Sequence, residues 1–182
     1  MDKDLERKNK ILLFISCSKS KLSHPAPAKQ FYTGQLFRSL VKLAQNNQWD
    51  VRVLSGKYGL IPLTKIVEPY DQKIQTQDDI ERIQNQAIPK LQSIIPNYKK
   101  IIVFMSKTYR KVLKPLILNA ENSKKFIVIH HRKGIFGYKK LVYECSKLLK
   151  PQVISYLEQF DGLYSEEHKD VKKKESTIKK FL

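Results

Sequence analysis

Ile11-Leu12-Leu13-Phe14-Ile15-Ser16-Cys17 is a short apolar run that gives way to the polar string Ser18-Lys19-Ser20-Lys21. An unbroken apolar run of this length, closed by a polar loop, suits a strand buried on both faces in a parallel sheet. Downstream, Leu36, Phe37, Leu40, Val41 and Ala44 recur at helical spacing over Gln35 to Gln45. A second strand follows over Asp50 to Ser55 through Val51 and Val53, with Gly56 and Gly59 bracketing a turn. Strand, helix, strand is the opening of a parallel α/β unit.

The alternation continues. Thr76 with Asp79 has the spacing of a capping box before Ile80, Ile83, Ala87, Leu91 and Ile94, which predicts an amphipathic helix ending near Pro96. Lys100 to Met105 reads as a third strand, and Ser106 as the cap of a helix reaching toward Leu118, shortened or kinked by Pro115. Phe126 to Ile129 reads as a fourth strand, Lys133 to Tyr138 as a glycine-containing loop, and Lys139 to Phe160 as helix interrupted at Pro151. The expected fold is a single three-layer α/β domain with a mainly parallel sheet flanked by helices, over residues 11–160. A short arm (1–10) precedes it, and a charged, flexible tail (161–182) follows. In such sheets ligands gather beyond the carboxyl ends of the strands. The loops after strands one, two and four are therefore the places to look for a site.

Composition narrows the class. The chain of 182 residues is 41% hydrophobic, enough for one ordinary core, and no apolar run approaches the roughly 18 residues of a membrane span. The run Ile11 to Ile15 is too short for a secretory leader, and Cys17 and Cys145 form neither a disulfide framework nor a zinc pattern. The expected location is the cytoplasm, nucleoid-associated or, in a eukaryote, nuclear, with no membrane, metal or cofactor. Thirty-five Lys and Arg against seventeen Asp and Glu give a net charge of +18. Arm and tail each carry a net +1, so +16 falls on residues 11–160. A charge excess on the folded body, rather than on a basic arm, suits a surface that neutralises phosphates. The bland alternative is a lysine-rich proteome that places lysine on every exposed face.

Three clusters could carry chemistry. Ser16, Cys17, Ser18, Lys19 and Lys21 offer small donors and ammonium groups at a strand end, suited to phosphate or a base edge, without the glycines of a P-loop. Tyr32, Thr33 and Gly34, after Pro25-Ala26-Pro27-Ala28 and Phe31, offer aromatic faces and open backbone amides before a helix. Ser55, Lys57 and Tyr58, followed by Glu68-Pro69-Tyr70-Asp71, add tyrosines, a lysine and a carboxylate. A buried Asp71 beside Tyr58 and Tyr70 could activate water or stabilise an oxocarbenium-like sugar while a ring stacks on an extruded base. A turn-capping Asp71 is the structural alternative. His130 and Arg132 at the end of the fourth strand complete the set; His131 points to the opposite face from His130.

The stretch Leu54 to Asp71 resembles the signature of the YaaA family, an LS-x-x-YGL segment followed by I-x-PY. The chain also resembles a related uncharacterised family, through CSKSK at 17–21, PA at 25–26, YTGQLF at 32–37 and SGKYGLI at 55–61. The resemblance runs in order from about residue 11 to 138. YaaA proteins are associated with DNA binding and peroxide stress, so it implies a nucleic-acid partner. This chain is shorter than YaaA and has Asp71 where that family usually has Arg.

The last eight residues resemble the PCNA-interacting peptide. Ile178, Phe181 and Leu182 stand at its apolar positions, with Glu175 where Gln is usual. Such a peptide is a single helical turn seated in an apolar pocket, which implies a sliding clamp as partner. Three functions fit the whole. One is a DNA repair or base-modification enzyme, most concretely a glycosylase-like hydrolase recruited by the clamp. The second is a non-enzymatic DNA-binding or stress-response factor, and the third an RNA-modifying enzyme of the deazaguanine type.

Overall fold

The first strand, β1 (Ile11–Ser16), is the middle of the sheet, and its sequence explains why. Leu12, Leu13, Phe14 and Ile15 are all fully buried. Alternation sends Leu13 and Ile15 to one side and Leu12 and Phe14 to the other, into two separate hydrophobic clusters. Burying each such side chain contributes about 1.5–3 kcal/mol, so a central strand apolar on both faces commits the chain to a layer of helices on each side. The computed structural model describes residues 10–162.

Strand β1 pairs in parallel with β3 (Asp50–Ser55) on one side and with β6 (Lys100–Phe104) on the other, and β7 (Phe126–Val128) extends the sheet beyond β6. At the opposite edge β4 (Gly59–Pro62) runs antiparallel to β3, giving the order β4-β3-β1-β6-β7. Two short strands, β2 (Ala26–Pro27) and β5 (Ile66–Val67), form a separate antiparallel pair beside a single helical turn, α1 (Ala28–Phe31). The fold is therefore α/β, with a five-stranded, mostly parallel sheet flanked by helices.

Helix α2 (Gln35–Asn47) packs on the face carrying Leu13 and Ile15, through Phe37, Leu40, Val41 and Ala44. Helix α3 (Gln77–Ile94) and helix α4 (Lys107–Ile117) cover the other face, with Ile83, Ala87 and Leu91 of α3 meeting the same cluster as Val112, Leu113 and Leu116 of α4. A single turn, α5 (Ala120–Ser123), leads into β7. Helices α6 (Gly134–Cys145) and α7 (Lys150–Glu158) return to the α2 side, through Leu141, Val142, Val153 and Leu157. After α7 the chain runs back along β7: Gly162 N–H donates to the Val128 carbonyl, and the Asp161 carboxylate accepts from Val128 N–H at 3.0 Å. Two residues expected in the tail thus satisfy the open edge of the sheet.

The capping box expected at Thr76 and Asp79 is present, with the Thr76 hydroxyl accepting from Asp79 N–H and the Asp79 carboxylate accepting from Thr76 N–H. Other expectations need correction. Helix α4 continues through Pro115, and Ser106 occupies its N-cap without a side-chain hydrogen bond. Proline has no N–H to give the carbonyl four residues back. Here that carbonyl, of Lys111, accepts from Gln84 Nε2 on α3 at 3.1 Å, so the packed neighbour supplies the missing donor. The glycine-containing segment from 134 is the first turn of α6 rather than a loop. Gly137 is there for proximity: a Cβ on it would collide with the His131 ring. The four-residue edge strand β4, and the β2–β5 pair, were not anticipated.

Candidate functional site

Because β1, β3, β6 and β7 are parallel, their carboxyl ends share one edge. The chain leaves β1 for β3 on one side and later crosses to β6 on the other, so the ends of β1 and β6 flank the point where the strand order reverses. That is where doubly wound sheets open a crevice. The residues that meet there come from five parts of the chain.

Ser55, at the end of β3, is fully buried and is the one non-aromatic polar side chain in the buried core among the described residues. Its Oγ accepts from the backbone N–H groups of Lys57 and Tyr58, each at 3.2 Å, and lies 2.8 Å from Tyr70 Oη. Both lone pairs of the hydroxyl are then engaged, and its proton goes to Tyr70. Tyr70 Oη also lies 2.8 Å from Tyr32 Oη. Three hydroxyls joined by two hydrogen bonds use two of their three protons, which leaves one O–H to donate to a ligand.

The rings are fixed as firmly as the hydroxyls. Phe31 stacks parallel to Tyr70 at 6.2 Å, and Tyr58 meets Tyr70 edge-on at 5.5 Å. Lys21 Nζ lies 4.7 Å from the centre of the Tyr70 ring, and Lys57 Nζ lies 5.1 Å and 5.8 Å from the Tyr58 and Tyr70 rings. Two cations over adjoining aromatic faces make a place for an anionic group beside a flat one. Across the crevice, Tyr109 in the first turn of α4 reaches back to Cys17, with Oη 3.4 Å from Sγ.

Burial pushes the Tyr32 phenol up to about 12, and the Tyr70 and Tyr109 phenols are raised further, for the same reason first. These three phenols therefore stay neutral at physiological pH and act through hydrogen bonds, not as tyrosinates. The linkage has a definite sign. A phenol that ionises later in the folded chain than near 10 in the unfolded chain contributes stability that is fully present below pH 10 and is lost as pH rises toward 12. Alkaline titration followed by phenolate absorbance is expected to show a late group of tyrosines that ionises only as the fold opens. The late amplitude shrinks in Tyr32→Phe, Tyr70→Phe and Tyr109→Phe. One titration step near pH 10 for all nine tyrosines would contradict it.

Of the expected site residues, the structure brings together Cys17, Lys21, Tyr32, Ser55, Lys57, Tyr58 and Tyr70. Ser16 is half-buried at the end of β1, and Lys19 is exposed. Thr33 and Gly34 do not offer open amides: Thr33 N–H donates to the Ser20 carbonyl, and Gly34 N–H to Ser18 Oγ at 3.0 Å. These bonds instead pin the β1 loop against the start of α2. Asp71 is not the buried carboxylate that was expected. Its side chain is 90% exposed and sits 3.4 Å from Lys73, because Tyr70 takes the inward slot and the next side chain points out. His130 and Arg132 stand after β7, two strands from β1, and His131 packs on Phe160. Glu175, Ile178, Phe181 and Leu182 lie outside the described residues. Among the described residues no group of three or more His, Cys, Asp or Glu is placed to hold a metal.

Tyr109 was missed. It follows the third parallel strand, the one strand end passed over in the sequence, yet with this strand order that strand adjoins β1. The signal was the tyrosine one turn into a helix that begins just after a strand.

A family model described as a family of unknown function (DUF6884) matches residues 12–134. The matched stretch contains every residue of the tyrosine cluster. Comparison with curated proteins and with solved structures gives no match.

Proposed function

The chain belongs to the DUF6884 family, and we propose that it is a DNA-associated base-processing protein, a glycosylase-like hydrolase whose tyrosine cluster receives a base drawn out of its stack. The observation that carries this reading is the buried Ser55–Tyr70–Tyr32 hydroxyl chain with Lys21 and Lys57 over the adjoining rings. The one O–H left over by that chain reads an acceptor on the edge of a base, ring faces stack on it, and the lysines hold the phosphate beside it. The net charge of +18 supplies the attraction to the backbone.

Hydrolysis at this place needs little more. The bond from the sugar C1′ to the base nitrogen breaks, its electron pair leaves with the base, and Lys57 offsets the charge that develops there. Water adds to C1′ from the open side and its proton passes to the departing base nitrogen; Asp71, turned out toward Lys73, takes no part in the step. The Glu175–Leu182 peptide would bring the enzyme to a sliding clamp. Among the described residues no helix is long and apolar enough to cross a membrane.

The test is a gel assay against duplex and single-stranded oligonucleotides carrying uracil, hypoxanthine, oxidised purines and alkylated bases. Alkali-labile abasic sites on one lesion, lost in Tyr70→Phe, are expected. Retarded but intact DNA across the panel would overturn hydrolysis and leave the non-enzymatic DNA-binding factor; a preference for folded tRNA would favour the RNA-modifying alternative.

A further inference from the structure

Helix α6 buries one side and exposes an unusual other. Gly137, Leu141, Val142 and Cys145 are buried. On the outer side Phe136 is 76% exposed and Tyr143 60%, two of the most exposed large apolar side chains described. With 3.6 residues per turn, Phe136, Lys140 and Tyr143 fall in one line at steps of four and three, and Lys147, just past the end of the helix, reaches back to Tyr143. Aromatic and cation therefore alternate along the axis. Lys147 Nζ lies 4.0 Å over the Tyr143 ring and 3.5 Å from Glu144, the single acid of the helix. Arg132 and Lys133, both exposed, stand just before its first turn.

We infer that this outer face of α6 is a track for single-stranded nucleic acid, with bases stacked on Phe136 and Tyr143 and phosphates held by Arg132, Lys133, Lys140 and Lys147. The inference deepens the base-processing reading and rests on it for the identity of the anionic partner. Ile135 and Leu149 add exposed apolar surface at the two ends, but a lipid surface calls for a continuous apolar stripe bordered by cations, and between the two rings stands Lys140. Interleaved rings and cations are instead what a strand with a regular charge and a flat group per unit requires. Phe136 and Tyr143 are about 10 Å apart along the axis, close to three stacked bases at 3.4 Å each. The helix follows β7, whose carboxyl end shares the edge of the sheet on which the tyrosine cluster stands.

The experiment uses the full chain and a single-stranded oligonucleotide containing 2-aminopurine, whose fluorescence reports the stacking of the probe base. Phe136→Ala and Tyr143→Ala are each expected to weaken binding about tenfold or more and to reduce the fluorescence change, at unchanged salt dependence. Phe136→Trp restores both. Lys140→Ala with Lys147→Ala weakens binding equally for all sequences and lowers the slope of log K against log salt by about 1.4. Unchanged affinity and fluorescence in Phe136→Ala with Tyr143→Ala, or a self-association of the chain that these changes abolish, would overturn the track. The two readings part at Ser55→Ala. If that change abolishes base-specific effects while Phe136→Ala is silent, the pocket stands and the track fails. If Phe136→Ala weakens binding while Ser55→Ala leaves every base-dependent signal intact, the track stands and the pocket fails.

Discussion

Ser55→Ala is expected to destabilise the fold by about 3 kcal/mol and to remove the base-specific activity together. The oxygen is fully buried and serves three partners, the N–H groups of Lys57 and Tyr58 and the Tyr70 hydroxyl. Deleting it leaves each short of a partner where water enters poorly, and a buried donor left unmade costs more than an ordinary hydrogen bond contributes. For a domain of this size the melting temperature should fall by about 10 °C. Tyr70→Phe removes one hydroxyl and should cost roughly half as much, and the double variant should fall short of the sum, because both changes break the same Ser55–Tyr70 bond. Thermal melts of the three variants check this. Additive losses, or a Ser55→Ala protein as stable as the wild type, would mean that the hydroxyl chain is not the structural unit described.

Gly56→Ala should act on the same unit from the backbone, costing about 1–3 kcal/mol and weakening base recognition at least as much as Tyr70→Phe. A Cβ on Gly56 would stand 2.8 Å from the Gln72 carbonyl oxygen and 3.0 Å from Lys73 Cα, so main chain and not a movable side chain must give way. The segment that must shift is the one that carries Tyr70. The turn has little freedom to absorb the strain, since Arg82 of α3 holds the Gly56 carbonyl at 2.9 Å and is itself held by Asp79 at 3.3 Å. Denaturant unfolding and oligonucleotide binding measure the two effects. A Gly56→Ala protein with native stability and affinity would show that segment 70–73 moves freely, which would remove the case for a preorganised pocket.

Much of this architecture was legible in the sequence, for reasons visible in particular residues. Leu12 to Ile15 could only be a strand covered on both faces, and Thr76 with Asp79 announced the start of α3 because a hydroxyl and a carboxylate three apart satisfy each other's amides. What escaped depended on neighbours far along the chain. Gly134 and Gly137 suggested a loop, but Gly137 is helical and small because the His131 ring lies against it. Pro115 suggested a shortened or kinked helix, but the helix runs on to Ile117, and Gln84 supplies the donor that proline lacks.

The site was legible in its membership more than in its roles. Cys17, Ser55, Lys57 and Tyr58 were singled out after strands, Tyr32 ahead of a helix and Tyr70 in the segment Glu68 to Asp71. That Ser55 would be the buried centre, and Asp71 the exposed rim, depends on which of two adjacent side chains turns inward, and sequence carries no mark of that. Tyr109 joins the cluster only through the strand order, which places the third parallel strand beside the first.

Photocrosslinking with a single-stranded oligonucleotide carrying 5-iodouracil, followed by peptide mapping, asks where a base comes to rest. Crosslinks to Tyr58 or Tyr70, reduced in Ser55→Ala under conditions where that variant is folded, are the result expected of a base seated in the tyrosine cluster. Crosslinks confined to lysine-rich faces elsewhere, with none in residues 55–71, would contradict it.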